Sequence, residues 1–310
     1  MERIVDVATD NVHLSADRGF LLVTKQHEDL GRVALDDILA VIVHGHGVTW
    51  STNLVVRLAE RGACVVICAA NHHPVALISP IMGHHAQGAR MRAQWEAGKP
   101  LMKQLWRQIV VAKIVMQGSL LAALGRKEAQ AFDLLAREVR SGDPNNQEAQ
   151  AARRYWPLLM GPEFRRDQSI EGANALLNYG YTVMRATLAR AVVGSGLHPT
   201  IGLFHANRGN SFALADDLVE PFRPLVDAVV EGLTRSGVVE VTPESKRRLV
   251  RLIGCDLRTG GEVSPVSVMA ERLALSVGRA FETGKAVLSV FDPPSALEWA
   301  ALAGTDEQGG

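Results

Sequence analysis

Cysteine is scarce in this 310-residue chain: Cys64, Cys68 and Cys255, an odd number and widely split. That excludes a disulfide framework and points to a reducing compartment. Long apolar runs are missing too; stretches such as 38–43 fall far short of the ~20 residues of a membrane helix. The opening MERIVDVATD has no basic flank followed by an apolar stretch, so no secretory leader is expected. The simplest expectation is a soluble, cytoplasmic protein with no membrane partner. No internal repeat, low-complexity tract or G-x-x-x-x-G-K-[ST] loop is present, and no nucleotide cofactor is expected. Net charge is absent as well, with 33 Lys and Arg against 33 Asp and Glu. Taken whole, that balance speaks against a nucleic-acid binder.

Its distribution reverses that inference. Residues 1–82 carry six basic and nine acidic side chains. Residues 83–127 carry eight basic (Arg90, Arg92, Lys99, Lys103, Arg107, Lys113, Arg126, Lys127) and one acidic, Glu96. The remainder holds 19 basic and 23 acidic residues. Lys99, Lys103 and Arg107 recur every four residues and share one helix face, as a phosphate-tracking surface requires. The alternative is a solvated face, but such faces mix signs and this one hardly does.

The hydrophobic period changes along the chain. Up to about residue 80, short apolar or alternating segments (4–8, 12–15, 20–25, 32–35, 38–44, 63–68 and 75–79) are separated by Asp, Asn and Gly turns, with one helical insert near 53–61. From about residue 83 the period becomes three and four. Leu101, Leu105, Ile109, Ala112, Val115 and Met116 mark a long helix, and more are expected near 127–140, 146–160, 170–193, 225–236, 243–253 and 265–283. The expectation is an α+β protein: a small β-sandwich over 1–82, an all-α domain over 83–300, and a frayed tail over 301–310.

Three segments are chemically unusual. In GDPNNQEAQAARRYW, Asn145 or Asn146 caps a helix on which Glu148, Ala152, Tyr155 and Leu159 share the inward stripe. A carboxylate there needs a cation; the competing reading is stabilisation of the helix dipole. In LHPTIGLFHANRGN, His205 ends an apolar run, either as a ligand or as a structural histidine at the edge of a core. In SFALADDLVEPFRP, Ser211 is placed to cap a short helix, and Asp217 and Glu220 stand three apart. Two like charges there call for a cation between them, either Arg223 or a divalent metal. A histidine and carboxylates on separate elements suit Mg²⁺ or Mn²⁺ better than zinc. Spacing alone does not bring positions 148, 205 and 220 together. Cys64-x-x-x-Cys68 with His72 and His73 is no zinc site, because strand residues four apart lie ~13 Å apart. Asn178, Tyr179 and Tyr181 read as helix-packing residues near the site.

At these residues the sequence resembles the CRISPR-associated endonuclease-integrase family, the larger subunit of the spacer-acquisition complex. LHPTIGLFHANRGNSFALADDLVEPFRPLVD is similar to its central signature. GDPNNQEAQAARRYWPLLMG is similar to the segment supplying its first metal-binding glutamate, in wording most like type II members. ANALLNYGYTVM resembles its intervening helix, and KQLWRQIVVAKIVMQ its long helix after the domain junction. The likeness runs from VHGHGVTWS to about residue 290. It implies a metal held by Glu148, His205 and Glu220, with Asp217 auxiliary; many members carry Asp where this chain has Glu220.

The resemblance implies further that the 3′-hydroxyl of captured DNA attacks a repeat-boundary phosphate, with His205 also able to assist proton transfer. It implies double-stranded DNA as partner, held by Arg90, Arg92, Lys99, Lys103, Arg107, Lys113 and Arg208. It also implies a homodimer formed through the sandwich, and a small ferredoxin-like subunit bridging two dimers. Two other readings stand beside it: a DNA-binding scaffold with an idle site, and a metallo-phosphodiesterase acting on small substrates.

Overall fold

A computed structural model describes residues 3–26, 28–69, 74–81, 84–205 and 209–304. The first strands are β1 (Arg3–Val7), β2 (His13–Asp17), β3 (Phe20–Lys25), β4 (Glu28–Ala34), β5 (Ile38–Val43) and β6 (Thr49–Trp50). Helix α1 (Thr52–Glu60), β7 (Cys64–Cys68) and β8 (Pro74–Ile78) follow. They form two four-stranded sheets, ordered β1-β5-β7-β8 and β4-β3-β2-β6. Arg18 and Gly19, at φ 46° and 86°, make the two-residue turn between β2 and β3, whose right-handed twist needs that conformation. Ser51 caps α1, its Oγ accepting from the Leu54 amide, and Leu54 and Leu58 enter the core between the sheets.

In the first sheet β1, β5 and β7 run parallel, and β8 pairs antiparallel to β7. The run ILAVIV of β5 is buried at every position, as a strand covered on both faces must be. Val41 and Val43 face the second sheet, whereas Ala40 and Ile42 join the larger core under the helices. The sandwich expectation holds, and one of its sheets serves both cores.

The helices are α2 (Gln87–Glu96), α3 (Lys99–Ala123), α4 (Gln130–Glu138), α5 (Gln147–Met160), α6 (Ala173–Gly194), α7 (Ala213–Leu218), α8 (Arg223–Arg235) and α9 (Pro243–Arg251). The hairpin β9 (Asp256–Thr259) and β10 (Glu262–Pro265) precedes α10 (Val266–Thr283) and α11 (Ala296–Ala303). Helix α6 is buried around nearly its whole circumference and forms the axis of this half.

The structure corrects the expectation in two places. The second half is not wholly α, because β9 and β10 pair antiparallel around Gly260 and Gly261, both at positive φ. Residues 301–303 complete α11, which a Ser295–Glu298 capping box starts and Gly304 ends in left-handed geometry; residues 305–310 lie outside the described ones. The expected junction after residue 82 also falls on residues outside those described. Among the described residues no helix is long and apolar enough to cross a membrane.

Candidate active site

Glu148 is placed by the turn before α5. Gly142, Asp143 and Asn146 all adopt positive φ and swing the chain into the helix. The Asp143 carboxylate accepts the Gln147 and Glu148 amides at 2.9 and 3.0 Å, and Asn146 Oδ1 accepts the Ala149 amide at 3.4 Å. The free amides of the first turn are therefore served locally. The Glu148 carboxylate is left to point inward, where Lys113 Nζ donates to Oε1 at 2.6 Å. That settles its position against a pure dipole role.

The same ammonium lies 2.5 Å from Glu220 Oε2, and Arg223 Nε donates to Glu220 Oε1 at 2.9 Å. Burial pushes the Glu220 carboxyl up, but Arg223 and Lys113 outweigh it and hold the pKa down at about 2. Burial opposes the charge on Lys113 too, and the two glutamates overcome it and raise its pKa. Glu148 and Glu220, 72 positions apart in the sequence, thus meet at a single cation. Sequence reasoning misses Asp143 altogether and places Lys113 on the DNA-holding stripe rather than between the two glutamates. The available signal was a lysine lying among Trp106, Ile109, Val110 and Ile114 on the apolar side of α3.

His205 is held by Asp217. This fully buried carboxylate accepts the amides of Leu203, Phe204 and His205 at 2.5, 3.1 and 3.3 Å, and lies 2.6 Å from His205 Nδ1. The hydrogen bond to Asp217 raises the His205 pKa; burial opposes it, and Glu220 and Glu148 add to the rise. With Nδ1 engaged, Nε2 is the nitrogen left for chemistry. A Cβ on Gly202 would stand 2.7 Å from Asp217 Oδ2, so only glycine permits the loop to close on that carboxylate. From α2, Gln94 donates to the Ile201 and His198 carbonyls and accepts the His198 amide, clamping the other side of the loop.

Asp217 is consequently a support for His205 and its loop, with both oxygens engaged there. Helix α7 ends at Leu218, and Glu220 begins a separate 3-10 turn, so the two carboxylates diverge. Ser211 does not cap α7; Asn210 Oδ1 instead accepts the Phe212 amide. Behind the site, the Arg223 guanidinium lies 4.4 Å above the Tyr181 ring. The Tyr181 and Tyr155 hydroxyls donate to Asp227 at 2.5 and 2.9 Å, and burial pushes the Asp227 carboxyl up to about 6.

The basic stripe divides. Arg92, Lys99, Lys103 and Arg107 are exposed, Arg107 also donating to the Val139 carbonyl. Arg90 and Lys113 are buried, contrary to a DNA-facing placement: Arg90 pairs with Glu282 at 3.0 Å and donates to the Ser195 carbonyl. Arg208 lies outside the described residues, as do His72 and His73. Burial pushes the Cys64 and Cys68 thiols up to about 12, keeping them protonated.

Among the described residues, no three His, Cys, Asp or Glu side chains stand close enough to enclose a metal ion. The donor chemistry nevertheless suits a hard divalent cation: two carboxylates share one cation position, and His205 is held through Nδ1 with Nε2 as its other ring nitrogen. An ion there would take the place of the Lys113 ammonium.

A β-sandwich joined to a helical half in which two glutamates meet at one lysine, with a histidine fixed by a buried aspartate, is a frame that suits a nuclease or integrase class of protein. The sequence pattern of the family described as CRISPR associated protein Cas1 matches residues 5–252, and the chain belongs to that family. It is 38% identical over 243 residues to the CRISPR-associated endonuclease Cas1 of Neisseria meningitidis serogroup C, covering 77% of this chain and 79% of that one. Its fold is shared with a casposase bound to integration product, at a TM-score of 0.79 and 20% identity over 95% of this chain and 94% of that one. It is shared also with a chain of a Cas6-RT-Cas1–Cas2 complex, at a TM-score of 0.74 and 18% identity over 94% of this chain and 36% of that one.

Proposed function

We propose that this protein is the endonuclease-integrase of CRISPR adaptation, and that Glu148, Glu220 and His205 carry divalent-metal-dependent phosphodiester chemistry on DNA. The observation that supports this best is the single cation position shared by Glu148 and Glu220. Mg²⁺ or Mn²⁺ held by these three side chains would polarise a phosphoryl oxygen and stabilise the departing oxyanion.

This chain's own residues supply the rest. Asp217 fixes the imidazole through Nδ1 and presents Nε2. Arg223 keeps Glu220 ionised and oriented. Arg92, Lys99, Lys103 and Arg107 offer an exposed cationic face that holds a phosphate backbone without reading bases. The reaction forms a bond from the attacking 3′-oxygen to phosphorus and breaks the bond to the original 3′-oxygen. The proton lost by the first is matched by the one gained by the second. Water as nucleophile gives hydrolysis instead. A homodimer bridged to others by a small ferredoxin-like subunit completes the assembly in this reading.

The test is strand transfer into a repeat-bearing plasmid with Mg²⁺ or Mn²⁺ and the small partner subunit. Glu148→Ala and Glu220→Ala should each lose on the order of 10²–10³-fold or more in joining, with duplex retention kept. Unchanged joining in either variant rejects the catalytic assignment and favours a scaffold. Turnover of a chromogenic phosphodiester without salt-sensitive duplex binding favours a small-substrate phosphodiesterase.

A further inference from the structure

Phe204 lies next to His205 and is 53% exposed, yet it is fixed from three sides. Its ring stacks flat on Trp106, with centroids 4.6 Å apart and planes 2° from parallel. Trp106 is itself 1% exposed and belongs to α3, the helix that carries Lys113. The Phe204 amide donates to the buried Asp217 carboxylate. The His205 ring stands edge-on to both aromatic rings, 5.7 Å from each. Since one face of Phe204 is covered by Trp106, its exposure comes from the opposite face and edge.

An apolar ring gains nothing from water, and this one has been immobilised rather than folded inward. Its backing by a buried indole means that little side-chain freedom is lost when a ligand covers it. A flat π-face of this kind takes another flat ring, and in a DNA-processing site that ring is a nucleobase. A base at a strand terminus has a stacking neighbour on one side only, so it leaves the stack at least cost. It is also the base attached to the sugar whose 3′-hydroxyl must reach the reacting phosphate beside His205.

We propose that Phe204, backed by Trp106, is the stacking platform for the unpaired 3′-terminal base of the DNA strand that reacts at this site. The proposal rests on the functional reading above and names Phe204 as a positioning residue that acts on the base, leaving the bond chemistry to Glu148, Glu220 and His205. It reads any base through its π-face and carries no sequence preference of its own.

The test compares two fragments that differ only at the 3′-terminal position, one with 2-aminopurine and one abasic, bound to the full-length protein. The intact protein should quench the 2-aminopurine and bind that fragment about 5–150-fold more tightly than the abasic one, the range that stacking of one base supplies. Phe204→Ala should abolish the quenching and the preference. Phe204→Leu, which keeps an apolar side chain and guards against a folding defect, should do the same, and Phe204→Tyr should restore both. In strand joining, Phe204→Ala should raise KM for the normal fragment and leave KM for the abasic one unchanged.

No preference in the intact protein overturns the proposal. So does equal weakening of both fragments by Phe204→Ala, which marks a structural role, or quenching only when the probe flanks the target phosphate. Base-dependent binding without strand joining leaves the platform standing and rejects the reaction; joining without base dependence does the reverse.

Discussion

Helix α3 presents two lysines to opposite surroundings. Lys103 is exposed, its stem running under Gly142 at the turn that starts α5. Lys113 is buried and its charge is spent on Glu148 and Glu220. The same residue type on one helix is a surface charge at one end and the cation of an acidic cluster at the other. In water an ammonium needs no partner. In the core it persists only because two carboxylates offset its lost hydration. Cationic residues counted along a sequence therefore do not measure a binding surface until each is assigned a face.

The strongest attempt to break this contrast is Lys113→Met. Leaving Glu148 and Glu220 facing each other should cost about 3–5 kcal/mol of stability in chelator-treated protein. Mg²⁺ or Mn²⁺ should restore much of it if the ion takes the ammonium's place. Urea unfolding with and without metal reads both, and the lack of any metal effect counts against the shared cation position.

Next comes Asp227, a buried carboxylate with phenols in place of a cation. Its folded pKa, about 6, exceeds the ordinary aspartate value of 3.8. Between those values the folded state holds more protons than the unfolded one, so stability from this group falls as pH rises from about 4 to 6. Asp227→Asn should remove that slope, worth up to about 3 kcal/mol at 1.36 kcal/mol per pKa unit. Denaturation midpoints over pH 4–7 check it, and an unchanged slope contradicts the assignment.

On the outward side the effects shrink. Gly142→Ala places a Cβ at positive φ, 2.9 Å from Lys103 Cγ, and should cost about 1–3 kcal/mol by thermal melting. Lys103→Met keeps the supporting stem and removes only the charge. Stability should stay within about 0.5 kcal/mol, while the slope of log affinity against log salt for duplex DNA should drop by about one. A stability loss as large as that of Lys113→Met would erase the distinction between the two lysines.

Much of this was readable from residue patterns, for identifiable reasons. The change from period two to period three and four separates the sandwich from the helices, because side-chain direction follows backbone geometry. Glu148 was legible from its place on an inward stripe. Lys113 was misplaced because charges were grouped by proximity: six residues beyond Arg107 is ~600° of helix, about 120° round the axis. Asp217 and Glu220 share a face only on a continuous helix, and α7 stops at Leu218. The β9–β10 hairpin was hidden by its four-residue strands, although Gly260-Gly261 is a turn signal. The Ser295–Glu298 capping signature is present in the sequence but opens only a short helix ahead of a polar tail. The Tyr155–Asp227–Tyr181 network joins three helices and has no local signature at all.

The sheet with helices on one face and a second sheet on the other has a mechanical consequence. Ile4, Leu39, Ala40, Ile42, Cys64 and Val66 belong to the helical core, while Val7, Val41, Val43 and Val65 belong to the sandwich core. Lys246 of α9 also pairs with Asp6 of β1 at 3.3 Å. A division of the chain near residue 82 is therefore a boundary of topology and not of cohesion, because each half supplies a wall of the other. The two halves should melt in a single transition, and a torque applied to the sandwich should reach the glutamates through one rigid slab of β-sheet rather than across a hinge.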